Sequence, residues 1–353
     1  MSQRRILFIG ASGYIGGSIL DRFLQSADAA IKSASYTALV RSQDQASKLK
    51  EHNVSPILFQ GLNDTDILRK YASEHDIVVN SANAFNTDAA KALILGLSDR
   101  KKQTGTDTIY LHTSGTSSIG DYPVPTETAD RWVLSDANDD VYAHLTKLEG
   151  QRPYAQRTTD IAVVDTGIAA NVKTFIVMSP TIYGKGTGLF NQQTIQIPGI
   201  IKRALRRGKT PFHSTGAGNW DHVHIEDLSE LYELLLSRIL AQEAVPSGKT
   251  GIYFSENGHY NWREAAEKVA TVGRELGALS TSEVEGLGSV EWMTCVDAAA
   301  TASAVQASEL GFASWSRTTA DLGRKMSWAP KHGDASWQAH VTPTFKAVWE
   351  KKL

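Results

Sequence analysis

Arg5-Ile6-Leu7-Phe8-Ile9-Gly10-Ala11-Ser12-Gly13-Tyr14-Ile15-Gly16 is an apolar run, then a turn punctuated by three glycines. An amphipathic run follows, carried by Ile15, Ile19, Leu20, Phe23 and Leu24. The pattern predicts a strand entering a helix through a tight loop. Gly10 lets the chain turn sharply off the strand, Gly13 keeps side-chain atoms out of the way of a pyrophosphate, and Gly16 lets the helix pack closely on the sheet. The helix then aims unpaired N–H groups and its positive dipole end at the phosphates. Gly10, Ser12, Gly13, Tyr14, Ile15 and Gly16 are therefore candidate dinucleotide contacts. The spacing is Gly-x-x-Gly-x-x-Gly, and its place between a strand and a helix is what gives it weight.

Strand-like segments recur at Tyr36–Val40, Ile57–Phe59, Asp76–Asn80, Thr108–His112 and Thr174–Met178. Helical patterns fill the gaps at Asp64–Tyr71, Asp88–Leu97 and Tyr154–Thr166. This alternation predicts an α/β fold, a doubly wound parallel sheet of Rossmann type with ligands at the carboxyl ends of the strands. Beyond Gly184 the regularity loosens into glycine-rich loops. Helical patterns at Leu228–Ala241, Trp262–Leu276 and Thr318–Lys325 and a helix-like stretch at Val296–Ala307 follow. The reading divides the chain into a nucleotide-binding domain over 1–183 and a smaller substrate-binding domain over 184–353, with some chain crossing back to the sheet.

With 41% hydrophobic and 21% charged residues, the composition is that of an ordinary globular protein. A net charge of -2 gives no electrostatic case for nucleic acid or an anionic membrane. The basic run Lys202, Arg203, Arg206, Arg207, Lys209 reads as a solvated helix face. A single cysteine, Cys295, excludes an intrachain disulfide framework and a cysteine metal cluster. No apolar stretch approaches the ~18–20 residues of a membrane helix. The expectation is a cytoplasmic protein with a small-molecule substrate, and a homodimer is possible.

The second strand ends Val40-Arg41-Ser42, with no carboxylate to bond the adenosine ribose. Arg41 and Ser42 suit a 2′-phosphate instead, which favours NADP(H) over NAD(H). After the fourth strand, Ser81, Ala82 and Asn83 are small residues where backbone passes close to a cofactor. After the fifth, Ser114 and Thr116 are the candidates for holding a substrate oxygen.

These segments, with Ser179-Pro180-Thr181-Ile182-Tyr183-Gly184, Trp220-Asp221-His222-Val223-His224-Ile225-Glu226-Asp227 and the closing Leu322-Gly323…Trp328-Ala329-Pro330, resemble the extended short-chain dehydrogenase/reductases. That superfamily includes epimerases, dehydratases and dihydroflavonol-type reductases. The resemblance runs from about residue 5 to residue 330, and adds Pro180 to the cofactor contacts. It implies a Ser or Thr, a Tyr, and a Lys four residues after the Tyr. Here the best-aligned segment is Tyr154-Ala155-Gln156-Arg157-Thr158, with threonine in the lysine position. Tyr142 and Lys147 are spaced by five, which turns the lysine away from the tyrosine on a helix. Without the lysine a tyrosine stays near its ordinary pKa of about 10, which favours proton donation over abstraction. Tyr154 and Thr158 are the remaining catalytic candidates, with Arg157 as a replacement charge.

In the second half, Tyr183, Phe190, Trp220 and His222 are candidate substrate contacts. His222 and His224 share a strand face, but no third ligand has convincing spacing, so no metal is expected. The expected activity is NADP(H)-dependent reduction of a carbonyl in a small organic substrate, with Tyr154 as proton donor. The alternatives are a non-redox isomerase or lyase on the same fold, and a dinucleotide sensor resembling the NmrA-like regulators.

Overall fold

The computed structural model describes residues 3–127 and 131–350. Seven strands form one parallel sheet. From one edge to the other they are Ile252–Phe254, Lys173–Ser179, Ile109–Gly115, Ile77–Asn80, Arg5–Ile9, Ser35–Val40 and Ser55–Leu58. The chain builds outward from Arg5–Ile9 to Ser55–Leu58, then returns to add Ile77–Asn80 on the other side. The order reverses between Arg5–Ile9 and Ile77–Asn80, which register Ile6 on Ile77 through Ile9 on Asn80. A crevice opens at such a point because the loops leave the two strand ends in opposite directions.

Both central strands are buried on both faces, which is why they read as unbroken apolar runs. Helices Tyr14–Leu24 and Ile225–Leu240 pack together, tied by the Arg22–Glu233 ion pair. Thr65–Ala72, Thr87–Thr104 and Ala155–Ala170 form a second group. Asn86 caps Thr87–Thr104 by accepting the N–H of Ala89 at 3.0 Å, and Gly105 ends it at φ 68°.

The strand Ile252–Phe254 belongs to the main sheet although it lies well past residue 183. A second core gathers Tyr183, Trp220, Tyr260, Trp262, Trp292 and Trp337 between helices Gln196–Arg207, Trp262–Glu275 and Asp334–Trp349. Among the described residues no helix is long and apolar enough to cross a membrane.

Two helix boundaries and the state of the basic run differ from the sequence expectation. The stretch read as helix-like from Val296 becomes helical only over Ala302–Phe312, where the Thr301 hydroxyl supplies the cap. Thr318–Lys325 is broken, because Thr318–Thr319 pairs with Leu134–Ser135 and Asp221 takes the Thr318 N–H. The helix begins only at Asp321. The basic run lies on Gln196–Arg207 and just past it, and most of it is paired rather than free: Arg206 with Asp297, Arg207 with Glu285 and Glu291, Lys209 with Glu283.

Candidate active site

The glycine turn has the tight geometry its residues predict. Gly10 sits at φ 94°, and a Cβ there would lie 2.7 Å from the Ser81 carbonyl carbon. A Cβ on Gly16 would lie 2.4 Å from the Gly10 oxygen. Helix Tyr14–Leu24 starts at Gly13 with no side-chain cap and no acidic residue in its first turn. Its leading N–H groups are therefore not held by a side-chain cap and are open to an anion.

At the end of Ser35–Val40, Arg41 and Ser42 are exposed. The Arg41 guanidinium makes no hydrogen bond or ion pair among the described residues, while its backbone N–H donates to Gln45. Ser42 Oγ caps Gln43–Glu51 by accepting the Gln45 N–H at 3.2 Å, which leaves its own proton to donate.

A pocket of about 450 Å³ opens where the strand order reverses. Tyr14 and Ile15 bring it up against the glycine turn, and Ser81, Ala82 and Asn83 line it from the neighbouring strand end. Ser114, Ser117, Tyr154 and Gln156 form its polar end, with Pro180 and Trp220 also on the wall. Gln193–Gln196 and the far end of Ala302–Phe312 complete it.

The polar end is one connected network. Tyr154 is the residue just before helix Ala155–Ala170, held by its N–H on Glu149 at 3.0 Å. Its hydroxyl donates to Ser117 Oγ at 3.3 Å, and Phe85 meets its ring edge-on at 5.7 Å. Ser117 Oγ donates to Gln156 Oε1 at 3.0 Å, and Gln156 Nε2 donates to Ser114 Oγ at 3.1 Å. Gly115 leaves room for that amide, because a Cβ there would come within 2.8 Å of Nε2. Ser114 Oγ in turn donates to Asp160 Oδ2 at 2.9 Å, and Ser118 Oγ does the same at 2.6 Å.

Burial sets the protonation of this network. It pushes the Tyr154 phenol up to about 12, against smaller lowering effects of the Ser117 bond and the Arg157 charge. It pushes the Asp160 carboxyl up to about 7, although two serine hydroxyls favour its ionised form. It pushes His112, whose Nε2 lies 3.7 Å from Asp160 Oδ1, down to about 4. Tyr154 is thus a neutral phenol at physiological pH, and Asp160 is poised near neutrality.

Several candidates lie elsewhere. Thr116 is fully buried on the inward side of the 3₁₀ turn Thr116–Ile119, and Ser117 takes the pocket-facing position. Thr158 is not in the pocket: its hydroxyl bonds Glu149 and the Tyr154 carbonyl. Arg157 is buried, donating to the carbonyls of Ser118 at 2.6 Å and Arg152 at 3.0 Å. Its guanidinium carbon lies 5.7 Å from the centre of the Tyr154 ring. Tyr183 is in the second core, with its hydroxyl on the His332 carbonyl at 2.7 Å. His222 stacks on Trp337 at 4.6 Å and bonds Asp334 at 3.2 Å. Phe190 packs on the main core under Lys48 and does not line the pocket. Ser12, Gly13 and Gly16 shape the turn without reaching the pocket wall.

Sequence reading missed Ser117, Gln156, Asp160, Phe85 and Phe312. Gln156 and Asp160 did carry a signal. They are polar residues four apart on one face of a helix, and that face is buried. Phe312 carried none, since it reaches the pocket only through the tertiary fold.

Residues 132–246 match the family model for the NAD dependent epimerase/dehydratase family. An oxidase, ucsJ, from an Acremonium species is 28% identical over 302 residues, covering 82% of this chain and 84% of the relative. An uncharacterised protein of Saccharomyces cerevisiae, YLL056C, is 24% identical over 259 residues, 70% and 72% of the two chains. Among solved structures, the dTDP-glucose 4,6-dehydratase DesIV of Streptomyces venezuelae, with NAD bound, superposes with a TM-score of 0.64. It is 16% identical, with 99% of this chain and 98% of that one covered. A UDP-glucose 4-epimerase of Thermotoga maritima gives 0.60 at 12% identity over 99% and 100%. The match to the NAD dependent epimerase/dehydratase family thus covers residues 132–246, and the whole chain shares the fold of these dehydratase and epimerase structures.

Proposed function

We propose that this protein is an NADP(H)-dependent oxidoreductase that reduces a carbonyl of a small organic substrate, with Tyr154 as proton donor. The observation that carries the reading is Tyr154 on the pocket wall beside Ser114, with its neutral hydroxyl hydrogen-bonded to Ser117. A nicotinamide dinucleotide, when bound, supplies the hydride. The uncapped helix start at Gly13 and the absence of a Cβ at Gly10 and Gly16 fit its pyrophosphate. Gly10, Ser12, Gly13, Tyr14, Ile15 and Gly16 would hold it there. Ser81, Ala82, Asn83 and Pro180 would flank its nicotinamide half. The unpaired Arg41 guanidinium and the Ser42 hydroxyl support a 2′-phosphate, although the DesIV structure holds NAD.

In this reading Ser114 and Ser117 orient the substrate oxygen, and Tyr154 gives it a proton as negative charge develops there. The phenol at about 12 remains fully protonated, so the donor form is always present. A calorimetric titration with NADPH, followed by NADPH consumption in the presence of ketones, tests the assignment.

One observation favours a second, oxidative reading. Asp160, near 7 and bonded directly to Ser114, can accept through that serine the proton of a substrate alcohol, which the Tyr154 phenol cannot. The Acremonium relative is described as an oxidase. Alcohol-dependent NADP⁺ reduction that rises with pH through about 7 and is lost in Asp160→Asn would support it.

A further inference from the structure

We propose that the substrate is an uncharged, ring-bearing carbonyl compound and not a sugar nucleotide or other anionic ester. The inference rests on the pocket being the substrate site of the proposed oxidoreductase. Among the described residues that line it there is no Asp, Glu, Lys, Arg or His. A phosphate or carboxylate seated there would lose hydration without meeting a cation, which strongly disfavours it.

The nearby basic run does not repair this. Arg203 spends its guanidinium on the carbonyls of Trp292 and Gly199, both at 3.0 Å, Arg206, Arg207 and Lys209 are already in ion pairs, and the exposed Lys202 does not line the pocket. Helix Gln196–Arg207 does start at the pocket, but Pro198 in its first turn has no N–H to offer an anion.

The walls favour apolar surface instead. Ile195 and Phe85 line the pocket yet remain 76% and 43% exposed, so a ligand would cover apolar groups that now face water. Trp220 and Phe312 add flat aromatic surface. The polar groups are hydroxyls and amides: Ser114, Ser117 and Tyr154 at one end, and Gln193 with no side-chain hydrogen bond of its own. Such a set recognises neutral oxygen atoms on an otherwise apolar molecule.

The test is a binding measurement on the protein with NADPH present, using 2-acetylnaphthalene, its 6-carboxylate and UDP-glucose as probes. The neutral ketone is expected to bind at least ~10-fold more tightly than its carboxylate, with no binding of UDP-glucose. In Gln193→Arg the preference for the neutral ketone should shrink, since a cation then faces the pocket. Binding of UDP-glucose, or equal binding of ketone and carboxylate, would overturn the inference, as would failure of the neutral ketone to bind. A ketone that binds without consuming NADPH would leave the inference standing and overturn the reductase reading.

Discussion

Thr158 lies four residues after Tyr154 in the chain, yet its hydroxyl turns to Glu149 and to the Tyr154 carbonyl while Tyr154 lines the pocket and its own hydroxyl bonds Ser117. The position that resembles the family's lysine is thus occupied by a residue engaged in helix-end bonding. Ser117 and Gln156 supply the hydrogen bonds around the phenol and Ser114.

Thr158→Ala should therefore leave turnover within about twofold of wild type, as expected for a partly exposed residue outside the site. Ser117→Ala should reduce turnover by ~10-fold, because it removes both the acceptor of the Tyr154 proton and a group that orients the substrate oxygen. Steady-state kinetics on the two variants checks this, and the reverse ranking would restore Thr158 to the site.

Asp160 makes stability pH-dependent in a defined direction. Its folded-state carboxyl stands near 7 against an ordinary value of 3.8. Between about pH 4 and 7 the folded protein keeps a proton that the unfolded chain has released, so this group's contribution falls as pH rises through that window. Asp160→Asn removes the effect. Chemical denaturation at pH 5 and pH 8 should show the variant gaining on wild type at the higher pH, by an amount on the order of a few kcal/mol. A constant difference between the two would mean that Asp160 ionises normally.

Arg41→Glu should weaken NADPH by at least ~10-fold and NADH far less, because a carboxylate would repel the 2′-phosphate that only NADPH carries. Calorimetry with both nucleotides reads this directly. Equal losses would move the 2′-phosphate contact away from Arg41.

Gly16→Ala brings a methyl group to 2.4 Å from the Gly10 oxygen, so the turn has to shift. The variant should lose ~1–3 kcal/mol of stability and most of its nucleotide affinity. Gly13→Ala meets only the Gly10 oxygen at 3.2 Å, so it should fold better while still losing nucleotide affinity. Thermal unfolding and NADPH titration of the pair separate packing from ligand clearance.

The sheet was legible because its central strands are buried on both faces and read as uninterrupted apolar runs, each followed by a recognisable turn. The glycine turn was legible residue by residue, since only steric demands place Gly10 at φ 94° and Gly16 against the Gly10 carbonyl. Ser114, read from its strand-end position, and Tyr154, read from the resemblance, both line the pocket. Thr116 does not, because the chain leaves Gly115 in a 3₁₀ turn that exchanges inward and outward positions. Tyr183 read as a pocket residue from its place beside the glycine-rich loop and His222 from its place on a second-domain strand, but both pack into an aromatic cluster with Trp337, from a helix distant in sequence. Asp160 shares a helix face with Gln156, a spacing visible in the sequence, but only the packing shows that this face is buried against Ser114 and Ser118.

The most direct test of the central claim is NADPH consumption by wild type and Tyr154→Phe, measured with an uncharged aryl ketone, alongside NADPH affinity for both proteins. Wild type should bind and consume NADPH. The variant should bind it within about twofold while turning over ~10²-fold more slowly or worse. Equal turnover by the two proteins would contradict Tyr154 as the proton donor, and NADPH binding without consumption by wild type would contradict carbonyl reduction itself.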